Sequence, residues 1–214
     1  MICVSVGDVS PELFNHRLSE FDLVELRIDL LSKEYLAFID KYFSAPSKMI
    51  ITGRINRKYK INRLVDIVDK SIDYGVQYID IDLKDTVHYK HVLKRLKKSE
   101  TKLILSCHNF DLTPYEVQID ELVTRMSKFK PDIYKLCFKA NMVTDIIRTM
   151  GIYQKYSQNS MIAFNLGDLG TLSRVLALKL GATFMYASPD SVSKTEDSQM
   201  SALEINTILQ LFNL

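Results

Sequence analysis

Residues 102–138 read KLILSCHNFDLTPYEVQIDELVTRMSKFKPDIYKLCF and hold one complete strand–helix–strand unit. Lys102–Ser106 and Ile133–Phe138 are short and mostly apolar, as strands covered on both faces should be. Between them, Pro114–Phe129 follows Thr113 and sets proline at the first helical position, where its missing N–H is no loss.

The same unit repeats in both directions. Further strand-like runs are Ile2–Val6, Leu23–Ile28, Met49–Thr52, Tyr78–Leu83, Met161–Leu166 and Thr183–Ala187. Helical patterns separate them: Pro11–Glu20 after Ser10, Lys33–Phe43 after Ser32, Ile61–Tyr74, His88–Lys98, Asn141–Tyr156, Leu172–Leu180 and Ser201–Phe212. In the third helix Ile61, Leu64, Val65, Val68 and Ile72 share a face, and Gly75 suits the position just past its end. Eight strands alternate strictly with eight helices. Right-handed crossovers then give a parallel sheet with every helix outside, and eight units close into a (β/α)8 (TIM) barrel. The alternative, a doubly wound open sheet, usually carries a glycine-rich first turn, and Ser5-Val6-Gly7-Asp8 does not. Residues 1–214 are therefore expected to form one barrel domain of α/β class.

Composition narrows the function. The chain is 47% apolar and 25% charged, with a net charge of +2. No strong basic excess points to nucleic acid. The denser stretch Lys90 to Lys102 reads first as a solvated helix face. Cys3, Cys107 and Cys137 are odd in number, lack tight spacing and sit in apolar runs, so free thiols are expected. No basic, apolar leader opens the chain and no run is long enough for a membrane helix, so a cytoplasmic protein without membrane contact is expected.

In such a barrel the chemistry lies at the C-terminal ends of the strands. Alternation puts Glu25, Arg27 and Asp29 on one face, Asp80 and Asp82 on another, and Ser106 and His108 together. Lys135 is the lone cation in the apolar run Ile133-Tyr134-Lys135-Leu136-Cys137-Phe138. Burial of a lysine is costly and favours the neutral amine, the form that attacks a carbonyl. The competing reading pairs Lys135 with Glu25 or Asp80 as a structural ion pair. His108, at a strand end, can take and return a proton. Arg27, Arg54 and Arg174 come from three strand ends and suit a carboxylate. His88 and His91 are spaced like ligands on a helix but lack a third, so no metal is expected.

These residues resemble the type I 3-dehydroquinate dehydratase family. The resemblance rests on Glu25-Leu26-Arg27-Ile28-Asp29 on strand two, Ser106-Cys107-His108-Asn109-Phe110 on strand five, Lys135 on strand six and Leu172-Ser173-Arg174 after strand seven. It implies a hydro-lyase of the shikimate pathway to aromatic amino acids, without a cofactor. Lys135 would form an imine with the ketone of 3-dehydroquinate, and His108 would remove the C2 proton and assist loss of water. Glu25, Arg27, Arg54 and Arg174 would bind the substrate, Arg174 at its carboxylate. A homodimer is implied as well.

Two positions depart from the family. A glutamate that supports the histidine is replaced by Lys58, and the last loop, Ala-Pro-Gly-Gln in the family, reads Glu196-Asp197-Ser198-Gln199. Gln199 is the expected counterpart of the family's closing glutamine. With Lys58 unsuited to hold a histidine, Asp80 is the expected support for His108 in preference to Asp82, because it is central in its strand; a pair with Lys135 or an arginine is the alternative. Rival functions are a Schiff-base lyase of the aldolase type and a weakened barrel kept as a binding protein.

Overall fold

The computed structural model describes residues 1–56, 58–196 and 198–211. Each strand-like run forms a strand: β1 Ile2–Val6, β2 Val24–Arg27, β3 Met49–Thr52, β4 Tyr78–Asp82, β5 Lys102–Asn109, β6 Ile133–Lys139, β7 Met161–Leu166 and β8 Met185–Ala187. All pair in parallel, in the order β7-β6-β5-β4-β3-β2-β1-β8. The seam between β7 and β8 carries a backbone bond from Thr183 N to Met161 O at 3.1 Å. The result is a nearly closed (β/α)8 barrel with helices outside.

Helices α1 Pro11–Glu20, α2 Lys33–Ala37, α3 Ile61–Asp73, α4 Lys90–Leu96, α5 Glu116–Ser127, α6 Val143–Lys155 and α7 Thr171–Lys179 lie between the strands, and α8 Ala202–Leu211 follows β8. The caps at Ser10 and Ser32 form: their hydroxyls accept from Leu13 N and Tyr35 N. Helix α3 buries Leu64, Val65, Ile67 and Val68, and Gly75 follows it with φ of +74°.

Several boundaries differ from the sequence expectation. The stretch Lys33–Phe43 breaks after Ala37 and continues as a 3-10 turn, Ile39–Tyr42. Pro114 stands ahead of α5 and not at its first position, since Thr113 donates its hydroxyl to Lys139 O instead of capping the helix. His88 precedes α4, so His88 and His91 do not share a helix face. Phe212, to which the sequence extends the last helix, lies outside the described residues. Among the described residues no helix is long and apolar enough to cross a membrane.

Candidate active site

A cavity of about 290 Å³ opens at the C-terminal ends of the strands. Glu25, Arg27, Arg54, His108, Lys135, Arg174 and Gln199 all line it. Asp80 lies directly beneath, fully buried. The sequence assigned these residues from six strand ends and one loop, and the barrel brings them to one place.

Lys135 is 5% exposed at the floor. Its Nζ lies 2.9 Å from Asp80 Oδ2, 3.9 Å from Glu25 Oε1 and 3.6 Å from the centre of the Tyr186 ring. The ion pairing that the sequence offered as an alternative therefore exists, with both carboxylates. Glu25 is fixed in turn by the hydroxyls of Ser5 and Thr52. Arg54 donates to Ser106 Oγ at 2.8 Å and to Asp80 Oδ2 at 3.0 Å. Burial alone would raise the Asp80 pKa, but Arg54 and then Lys135 outweigh it, so Asp80 stays ionised far below the usual carboxylate range.

The carboxylate on His108 is Asp82, not Asp80: Asp82 Oδ2 lies 2.8 Å from His108 Nδ1. The correction has a geometric cause. Backbone register pairs Asp80 with Ile104 and Asp82 with Ser106. Barrel strands are tilted and staggered, so inward side chains meet on a diagonal. Asp80 therefore reaches Ser106, two positions beyond its register partner, at 2.6 Å, and Asp82 reaches His108 by the same step. Burial, then Arg54, push His108 from 6.5 down to about 4, while the bond to Asp82 acts the other way. The imidazole is thus neutral at neutral pH. With Nδ1 held by Asp82, Nε2 is the nitrogen left to exchange a proton. Lys58 lies elsewhere, with its ammonium on the Leu30 carbonyl at 2.7 Å.

The other cations are held differently. Arg27 forms a two-pronged pair with Asp29, Nε at 3.0 Å and Nη2 at 2.7 Å. Arg174, on α7, is 2% exposed and stacks over Phe164, with its Cζ 4.2 Å from the ring centre. Its Nη2 donates to Glu196 Oε2 at 2.6 Å. Burial disfavours the Arg174 charge, and Glu196 is the main group that offsets it. Gln199 is buried at the mouth, where its side-chain oxygen accepts from Thr195 N and Oγ1, both at 3.0 Å. Sequence reading missed Tyr186, Phe164 and Glu196. The aromatics carry no signal beyond alternation along β7 and toward β8, and Glu196 comes from a loop whose path no periodicity encodes.

A model of the type I 3-dehydroquinase family matches residues 2–214. The chain belongs to that family. It is 31% identical over 192 residues to 3-dehydroquinate dehydratase of Dehalococcoides mccartyi strain 195, covering 88% of this chain and 85% of the relative. It is 30% identical over 224 residues to that of Methanococcus vannielii, covering 100% and 99%. The fold is similar to that of 3-dehydroquinate dehydratase from Geobacillus kaustophilus, with a TM-score of 0.84 and 17% identity over 99% of this chain and 90% of the other. Membership of a type I 3-dehydroquinase family makes the chain an enzyme of the dehydratase class.

Proposed function

We propose that this type I 3-dehydroquinase family member dehydrates 3-dehydroquinate to 3-dehydroshikimate through an imine on Lys135, within the shikimate pathway. The observation that carries the reading is a buried lysine and a neutral, carboxylate-held histidine facing one cavity. The lysine nitrogen attacks the ketone carbon, and the carbonyl oxygen leaves as water. The cation that forms is an electron sink next to the Tyr186 ring, whose face favours positive charge. His108 takes the proton from the neighbouring carbon, the enamine expels the hydroxyl one carbon further on, and His108 returns its proton to that hydroxyl as it departs. Water then releases product and restores the amine. Besides the C–N bond made and broken on Lys135, every step is proton exchange and addition or loss of water, chemistry within the reach of an amine and an imidazole.

Borohydride reduction in the presence of 3-dehydroquinate, followed by peptide mapping, tests the reading. A reduced adduct on Lys135 is expected; turnover with no adduct would remove the imine.

Asp82 supports His108 in this scheme. Its hydrogen bond raises the histidine pKa, so Asp82→Asn lowers it further. The acidic limb of kcat/KM should move to lower pH. Turnover should fall about tenfold, less than the roughly 10²–10⁴-fold that a whole acid–base group supplies. A profile and rate equal to the parent's would show that His108 works without this carboxylate.

Arg174 is assigned the substrate carboxylate. Arg174→Ala should weaken binding by about 1.5–3 kcal/mol, the worth of a charge-assisted contact. An unchanged KM in a folded variant would reject the assignment.

A further inference from the structure

Arg174 differs from the other arginines of the cavity in how its donors are used. The Nε–Nη2 edge of a guanidinium is a two-pronged donor that fits both oxygens of one carboxylate. In Arg27 that edge is filled on both prongs by Asp29. In Arg174 only Nη2 is engaged, by one oxygen of Glu196. The buried Nε has no partner among the described residues. A buried donor without a partner is costly, and this one belongs to a residue that lines the cavity, where a second carboxylate oxygen would complete the fork.

The partner is also of a different kind. Asp29 is buried just past a strand, whereas the Glu196 side chain is 30% exposed and belongs to the loop between β8 and α8. Ser198 donates to the same carboxylate from its backbone N at 3.2 Å and from its hydroxyl at 2.6 Å. These short-range bonds do not depend on Arg174. Glu196 can therefore keep them after leaving the guanidinium. Arg174 cannot do without an anion as easily, because an unpaired buried charge is strongly destabilising.

We propose that Glu196 is an internal stand-in for the ligand's carboxylate. It neutralises Arg174 in the empty site and gives way when a carboxylate ligand takes both prongs of the Nε–Nη2 edge. Binding is then an exchange of one carboxylate for another, and the measured affinity is lowered by the fraction of molecules in which Glu196 holds the edge. This inference rests on the assignment of Arg174 to the substrate carboxylate.

The test uses quinate, a polyhydroxy ring carboxylate with no ketone, which reports the anion subsite without imine chemistry. Calorimetric titration compares the parent with Glu196→Ala and Glu196→Gln, the second keeping the side chain's length while removing its charge. Glu196→Ala should bind quinate about tenfold more tightly, the worth of one charge-assisted hydrogen bond, and Glu196→Gln, whose neutral amide oxygen competes more weakly for Nη2, should shift the same way by less. Without ligand, Glu196→Ala should melt at a lower temperature than the parent, and quinate should raise its Tm by more. Binding that is unchanged, weaker or undetectable in both parent and Glu196→Ala overturns the proposal. Trapping of 3-dehydroquinate on Lys135 in the parent is read separately. An adduct without tighter quinate binding removes only the stand-in. Tighter quinate binding without an adduct removes only the imine.

Discussion

Lys135→Ala and Lys135→Met should both lose turnover to background and yield no borohydride-trapped adduct. The nucleophile has no understudy. Lys84 borders the cavity but is exposed, Lys139 is exposed at the end of β6, and Lys58 is tied to the Leu30 carbonyl. The methionine variant separates chemistry from folding. Its unbranched side chain can still lie against the Tyr186 ring, and Asp80 keeps Arg54 and Ser106 as partners. Circular dichroism should therefore show a folded barrel with no activity. An adduct mapped to Lys84, Lys139 or Lys58 in the parent, or turnover in folded Lys135→Met, would reject Lys135 as nucleophile.

His108→Ala should behave differently. The amine and its carboxylates remain, so the first covalent step survives in part, but no group then removes the carbon-bound proton. Dehydration should slow by roughly 10²–10⁴-fold. Rapid quenching with borohydride should find the adduct accumulated on Lys135, at a higher steady-state fraction than in the parent. Parent-like turnover would make His108 structural. A loss of trapped adduct equal to that of Lys135→Met would mean that His108 acts before the imine forms.

The two variants follow how the site could be read. Lys135 was legible because a charge inside an apolar strand contradicts its surroundings. His108 was legible because it ends a strand whose inward face alternation assigns. The barrel itself was legible because each strand and helix announces its own period. The partner of His108 was not. Choosing between Asp80 and Asp82 needs the stagger between β4 and β5, and no single strand encodes the offset to its neighbour. Arg27 was legible as a cavity residue, but its partner was not. Its partner Asp29 lies two residues on, the same-face spacing, yet the sequence alone does not say whether an arginine meets a ligand or its own neighbour. Glu196 was the least legible, because only the loop's path over α7 brings it to Arg174.

Cys137 lies two residues beyond Lys135 on β6, and it too lines the cavity. Burial pushes its thiol up to about 12, so thiolate, the reactive form, is almost absent near neutral pH. Under the proposed chemistry, two nucleophiles of opposite character share one wall, and the soft one is held as thiol. On that proposal a reagent entering the cavity would be sorted by hardness: a carbonyl compound would meet an amine that condenses with it reversibly, while an alkylating agent would meet a thiol in its unreactive form. The surroundings of a bystander sulfur would then shape selectivity toward electrophiles alongside the groups proposed to do the chemistry.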